Sequence, residues 1–462
     1  MANQVPASHE SAMNEPHLKR TLGPIMIWGL GVGYVISGSY FGWNYGLEQG
    51  GTWGMVLATF IATALYVCFV LGYAELSCAI PRAGGAFVYA ERAFGPKVGF
   101  VVGLAQVVEY GLAPPAIAFS IGSYLHTVVP SLPVWAVAVG AYVIFTAINM
   151  WGVSLSARFE LVITVLAVIE LLIFGAVALP SFSVEKFNTE ALPHGWMGAF
   201  AALPFALWFY LAIEGIANIA EEAKDPQRDL SRGFLSAMAT LVVLAMIALF
   251  GATGVAGWRA ILYVNGHSGE QSDSPLPLAI GHVVGTDHPL FTILTGVGLL
   301  GLIASFHGIL LAASRALMEM GRTGFFPAVL GGVHPVRRTP TAALVTSFVI
   351  GMVALATGKT GDIILLAIFG ALTLYISSTI ALFVLRRTEP DLHRPYLTPG
   401  YPVVPAIALC LSVLAMVSMI VSKPGLFAIY AGLLIVGTGA WLLLRNKPSS
   451  SSSSSSSPVG GG

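Results

Sequence analysis

The sequence predicts an all-α membrane protein of twelve transmembrane helices, and three observations carry that prediction. Of the 462 residues, 56% are hydrophobic and 10% charged, with a mean hydropathy of +0.81. A soluble domain carries about 25% charged residues, so lipid is the main solvent of this chain. Twelve apolar stretches approach or exceed the roughly 20 residues a helix needs to cross the hydrocarbon core. None alternates as an outer-membrane barrel strand does, and all are too long for one.

The spans follow in order. The first, 22–46, crowds Gly29, Gly31, Gly33, Ser37, Gly38, Ser39 and Gly42 into one stretch. The second to fifth fall at 53–80, 97–125, 133–152 and 158–180. In the sixth, 197–220, Pro204 precedes the run Trp208–Gly215. The remaining spans lie at 233–257, 289–317, 341–358, 361–385, 402–422 and 425–444. Interrupted helices at corresponding positions of two five-helix halves, 22–180 and 197–385, mark a midplane binding site. The alternative is that these glycines only let helices pack closely.

Basic residues orient the chain. With the N-terminus in the cytoplasm, eighteen of the 22 Lys and Arg fall on inner segments, and only Lys186, Arg259, Lys359 and Lys423 on outer ones. That bias places both termini on the cytoplasmic side of an inner (plasma) membrane. One missing helix would scramble it, so it also supports the count of spans. The N-terminal tail, 1–21, has no apolar core, so no cleaved secretion signal is expected. The C-terminal tail, 445–462, contains the low-complexity run Ser449–Ser457, which has nothing to pack. A net charge of zero gives no case for a nucleic-acid partner. Cys68, Cys78 and Cys410 show neither disulfide nor metal spacing, and no cofactor is implied.

Three carboxylates lie deep in spans: Glu109, Glu170 and Glu214. Glu109 is twelve residues past Lys97 and Glu170 twelve past Arg158. Each is therefore about 18 Å into a core about 30 Å thick. An acidic residue at a helix centre costs roughly 2.5–3.5 kcal/mol, so three cost about 8–10 kcal/mol unless neutralised. No Lys or Arg occupies the middle of a span, and His307 in the eighth is the one basic candidate. The positive charge has to come from an ammonium substrate, a proton or a metal cation.

At the end of the second span, Ala74-Glu75-Leu76-Ser77 and Pro81-Arg82-Ala83-Gly84-Gly85-Ala86-Phe87-Val88-Tyr89 resemble a signature of the amino acid–polyamine–organocation superfamily. Glu221-Glu222-Ala223-Lys224-Asp225-Pro226-Gln227-Arg228 after the sixth span resembles a second. Ala313-Ser314-Arg315 with Arg322-Thr323-Gly324-Phe325-Phe326-Pro327 resembles a third. The resemblance runs over about residues 20–445. It implies a LeuT-like fold: two inverted five-helix repeats followed by two further helices, 402–444. Ser39-Tyr40-Phe41-Gly42-Trp43-Asn44-Tyr45-Gly46-Leu47 is most similar to ethanolamine permeases. Amino-acid carriers of the superfamily show Gly-Ser-Gly at the first break, where amides hold a substrate carboxylate. Here the triplet is Ser37-Gly38-Ser39, which suits a neutral alcohol better than an anion.

The resemblance also implies roles. Glu109 stands where related antiporters have a small residue beside the substrate, which implies direct contact with an ammonium. Trp208 aligns with their gating tryptophan, whose indole face attracts a desolvated cation by about 2 kcal/mol; the alternative is a helix contact. Leu211 and Ala212 would lend carbonyl oxygens freed by the sixth-span break. Glu170 takes the place of a span-five lysine beside the sodium-site equivalent, which implies coupling. Glu214 either holds the unwound backbone or joins in coupling. Ser305 is a sodium ligand in this reading, and His307 a coupling or a packing residue. Tyr40, Phe41 and Tyr110 either close the pocket or pack the core. Glu75, Glu221 and Glu222 sit at cytoplasmic helix ends and read as structural.

The expected function is secondary active import of a small amine, ethanolamine first, by alternating access, with a proton or sodium ion as coupling partner. A carrier of zwitterionic amino acids is the alternative, with Glu109 set to repel the substrate carboxylate. A membrane enzyme needs a nucleophile–base pair or a metal cluster, and neither HExxH nor a Cys/His cluster is present. No soluble signalling domain argues for a sensor, and no repeated filter loop for a channel.

Overall fold

The computed structural model describes residues 20–151, 156–337 and 339–445. Lys19, Arg338, Lys447 and nearly all of both tails, 1–21 and 445–462, lie outside the described residues. The principal helices are α1 (Pro24–Val35), α2 (Leu47–Ala79), α3 (Pro96–Val128), α4 (Val134–Trp151), α5 (Ser156–Ala178) and α6 (Gly195–Leu207). They continue as α7 (Pro226–Ala256), α8 (Pro289–Arg322), α9 (Thr341–Leu355), α10 (Thr360–Thr388), α11 (Val403–Ser422) and α12 (Pro424–Arg445). Pairing between extended segments is limited, among the described residues, to two isolated bridges. Ten stretches are long and apolar enough to cross a membrane, one of them the broken Gly195–Glu222; α1 and α9 are apolar but shorter.

Both interrupted spans appear, with one shift. Ser37-Gly38-Ser39, expected at the first break, belongs to a helical turn, Ser37–Tyr40. The chain opens two residues later, where Phe41 is extended and Gly42 takes φ +90°. The physical cause lies in Gly42, which adopts positive φ without steric cost. A lesser fault at Ile36 has another cause: the Ser305 hydroxyl accepts from Ser37 N at 2.9 Å and donates to Gly33 O at 2.6 Å. It thereby inserts into the i→i−4 ladder, a known origin of helix kinks. The sixth span runs as α6, then a 3₁₀ turn Trp208–Tyr210, then Leu211 and Ala212, then a 3₁₀ stretch Ile213–Glu222. Ala212 has φ +75°. A non-glycine residue there costs about 1–3 kcal/mol, so packing around it holds the break open. α7 starts seven residues before the expected 233, because Pro226 suits a first helical position.

The second broken span and α3 occupy the middle. The apolar windows of α3 and of Gly195–Glu222 are each 78% buried, against 28% for α4 and 11% for α12. α3 packs between α8 and α10, α2 against α6, and α1 against α5 and α7. The outer helices present Ile435, Val436 and Leu443 outward, and Trp135 and Trp151 stand exposed at opposite ends of α4, as interfacial tryptophans do. Backbone bonds from Thr21 and Leu22 to Glu222 O, and from Lys224 to Leu22 O, tie the start of the first broken span to the end of the second.

The ends of the bundle are closed differently. At one end, Arg386 and Arg394 grip Glu75, Arg315 grips Glu222, and Arg82 grips Glu319. Glu75 and Glu222, expected at helix ends, are thus both held in ion pairs. The other end lies about 40 Å away along α2, from Glu75 back to Glu48. It is closed by the segment Gln271–Ser274, through hydroxyl and amide hydrogen bonds.

Candidate functional site

The breaks meet backbone to backbone. A Cβ on Gly38 would lie 2.3 Å from Trp208 O and 2.9 Å from Phe209 Cα. Only glycine permits that approach. A Cβ on Gly42 would fall 2.3 Å from the Trp208 indole, which therefore covers the opened turn. Phe41 meets the same indole edge-on at 5.6 Å, and Trp43 stacks on Phe209 at 5.3 Å. Ser39 Oγ and Trp208 Nε1 are buried beside these breaks without partners. A hydroxyl or indole N–H left so costs about 1–3 kcal/mol, which points to a ligand that supplies the missing bonds. The Ala212 carbonyl accepts from Gly215 N at 3.0 Å.

Glu214 follows the sixth-span break by two residues. Its carboxylate accepts from Tyr110 OH at 3.1 Å and from Tyr375 OH at 3.0 Å. Glu109, the residue before Tyr110 on α3, stands close enough to Glu214 for the two carboxyls to interact. Both Glu109 oxygens are buried and lack a donor. Gly370 of α10 lets that helix close on the α3 backbone there, since a Cβ would lie 2.6 Å from Ala105 O and 2.9 Å from Glu109 N. Among the described residues no Lys or Arg pairs with either acid. Two bare carboxylates at that range repel strongly in a dry core, so the pair holds a proton or a cation. Phenols surround it: Tyr66 bonds Tyr375 at 3.1 Å and packs on Tyr210, which bonds Thr63 at 2.7 Å.

The other expected site residues fall elsewhere. Glu170 accepts from Tyr40 OH at 2.6 Å, and Tyr40 is wedged against Gly301 of α8 and the ring of Tyr124. Tyr40 and Tyr110 thus each give a hydroxyl to a buried acid. Ser305 bridges α1 as described, and His307 points to a further buried acid, Glu160, whose Oε2 lies 3.0 Å from Nδ1. Glu160 Oε1 and Thr164 Oγ1 have no partner. Both face Gly33, whose Cβ would lie 2.7 Å from the first and 2.8 Å from the second. Among the described residues no group of three or more His, Cys, Asp or Glu could hold a metal ion.

Sequence reasoning missed Glu160 because it stands two residues past Arg158, which a depth count puts at the membrane edge. The packing of α5 on α1 and α8 buries it completely. Tyr66, Tyr210 and Tyr375 were missed too; each is a phenol in a span, and only the fold brings the three together.

Residues 23–442 match the family model described as amino acid permease. The chain is 31% identical to an uncharacterised transporter of Rhizobium meliloti over 87% of each chain. It is 25% identical to a branched-chain amino acid permease of Bacillus subtilis, over 86% of this chain and 87% of the other. A low-affinity putrescine importer of Escherichia coli is 28% identical, over 73% of this chain and 75% of its own.

Proposed function

Since this chain belongs to the amino acid permease family, and is an integral multi-pass membrane transporter of small molecules and not an enzyme, we propose that its cargo is a small primary amine, ethanolamine first. The observation that carries this reading is the pair Glu109 and Glu214, buried together among phenols with no basic partner. An ammonium supplies the missing charge there, with Trp208 offering an indole face. The substrate hydroxyl is taken by Ser39 Oγ and Trp208 Nε1, which have no partners of their own. Ser37, Gly38, Leu211 and Ala212 contribute backbone around it, and Phe41 closes the pocket against Trp208.

The fold in this proposal has twelve spans, with α1 and its continuation to Gly46 as the first and α9 as the ninth. Residues 22–180 and 197–385 are inverted repeats of a LeuT-like fold, and both termini are cytoplasmic. Coupling runs through a proton on Glu170, with Tyr40 as its hydrogen-bond partner. The pair Glu160–His307 beside Ser305 is the rival carrier, favoured by the unpartnered Glu160 Oε1 facing α1.

Two relatives bracket the choice of cargo. The putrescine importer is named for a diamine, which supports the amine reading. The branched-chain permease is named for amino acids; that cargo would set its carboxylate against Glu109. A competition assay on purified protein with radiolabelled ethanolamine decides. Ethanolamine should outcompete glycine, alanine and arginine. Tighter binding of any of these amino acids overturns the amine assignment.

A further inference from the structure

The segment Gln271–Ser274 joins four elements at the end of the bundle remote from the arginine pairs. Gln271 Nε2 donates to Glu48 Oε2 of α2 at 2.8 Å. Ser272 O accepts from Asn44 Nδ2 at 2.8 Å. Asp273 divides its carboxylate: one oxygen accepts from Tyr45 OH, the other from Thr360 Oγ1 at the start of α10, at 3.1 Å. Its main-chain oxygen accepts from Ser120 Oγ of α3 at 2.8 Å, and Ser274 bonds Ser123 at 3.0 Å. Asn44 carries the connection inward, because its Oδ1 accepts from Gly42 N at 2.9 Å. Gly42 is the opened turn beneath Trp208. One chain of bonds therefore runs from this loop to the break at which the two interrupted spans meet.

We propose that Asp273 is a gate residue of the transport cycle: by bridging Tyr45 and Thr360 it latches this end of the bundle shut. Alternating access requires the turn Trp43–Gly46 to part from α10 and the loop, and Asp273 holds all three. It is also, among the described residues, the carboxyl group that bridges the turn to α10. The titratable groups facing it are the Tyr45 phenol and, on its own loop, Glu270; Thr360 and Ser120 bring hydroxyls from α10 and α3. Burial pushes the Asp273 carboxyl up to about 6, the Tyr45 and Thr360 hydroxyls opposing and Glu270 adding to the rise. In the open, wetted loop the carboxyl returns toward its ordinary 3.8. A group raised in the latched form stabilises that form fully below the ordinary value and loses the effect as pH rises through about 6. Acid therefore latches and alkali loosens. Those two values give a rise of about tenfold in the open-to-latched ratio between pH 5 and pH 8. The proposal rests on the chain being a transporter and not on what it carries.

The test uses the full chain in nanodiscs without substrate. Spin labels at Val264→Cys on the loop and Leu132→Cys after α3, in a background freed of the native cysteines, report the distance by pulsed electron resonance. The open-to-latched ratio should rise about tenfold from pH 5 to pH 8. D273N, isosteric with the protonated acid, should abolish the pH response, and T360A should raise the open fraction at both pH values. Monodisperse elution of each variant establishes that it is folded. A wild-type distribution that is the same at pH 5 and pH 8, or a D273N protein that keeps the response, overturns the proposal. Because no substrate is present, failure of ethanolamine to bind leaves this result untouched.

Discussion

Two acid clusters lie buried in the same bundle, and they are built on opposite terms. Glu160 faces His307 at 3.0 Å, so its charge has an internal base to answer it. Glu109 faces another acid, Glu214, and the partners supplied are phenols, which donate hydrogen bonds without bringing positive charge. An acid–base pair exchanges a proton within itself. An acid–acid pair among phenols has to take its positive charge, a proton or a larger cation, from outside. In the proposal the second cluster holds the cationic cargo, and the first is the rival to Glu170 as carrier of the coupling proton.

The comparison breaks most visibly at Glu109. E109Q should weaken ethanolamine binding more than a hundredfold, because removing one partner of a buried charged contact costs about 3–5 kcal/mol. E160Q should leave equilibrium affinity within a few-fold, since it touches no proposed cargo contact. Equal losses in the two variants would erase the distinction between the clusters.

Coupling sharpens it next. In proteoliposomes under an imposed proton gradient, the carrier's Gln variant should lose concentrative uptake while keeping exchange of internal for external substrate. E170Q and E160Q are to be compared directly, with H307Q as the partner of the second. Loss in E170Q alone supports the Tyr40-bound acid. Loss in E160Q and H307Q together moves the role to the histidine pair. Retention in all three removes proton coupling from both.

A smaller effect is expected at Gly33. G33A places a methyl 2.7 Å from Glu160 Oε1 and 2.8 Å from Thr164 Oγ1. Overpacking of that kind costs about 1–3 kcal/mol. Thermal melting read by fluorescence-detected gel filtration should show the loss, with ethanolamine affinity little changed. The smallest belongs to Ser305: S305A removes a bridge across the α1 ladder, worth about 0.5–1.5 kcal/mol per hydrogen bond. An unaltered melting temperature would show that the ladder closes without it.

How far the sequence could be read follows from the range of the forces involved. Apolar length and the glycine and proline signals are local, so the helices and both interrupted spans were legible, Gly42 included. The shift of the first opening from Ser37–Ser39 to Phe41–Gly42 was not, because several glycines in the span could have opened it and only the approach of Trp208 over Gly42 singles one out. Depth along a span found Glu109, Glu170 and Glu214. It failed for Glu160, which is buried by neighbouring helices and not by distance from a membrane edge. The phenols around Glu214 come from α2, α3, α10 and the sixth-span turn, and only tertiary packing decides that they converge.

The central claim is that Glu109 and Glu214 together hold the ammonium of a small amine. Equilibrium binding of radiolabelled ethanolamine to wild type and E109Q, side by side in detergent with alanine as competitor, tests it most directly. Wild type should bind ethanolamine, with alanine unable to displace it, and E109Q should show more than about a hundredfold loss. Undiminished binding by E109Q, or ready displacement of ethanolamine by alanine from the wild type, would contradict it.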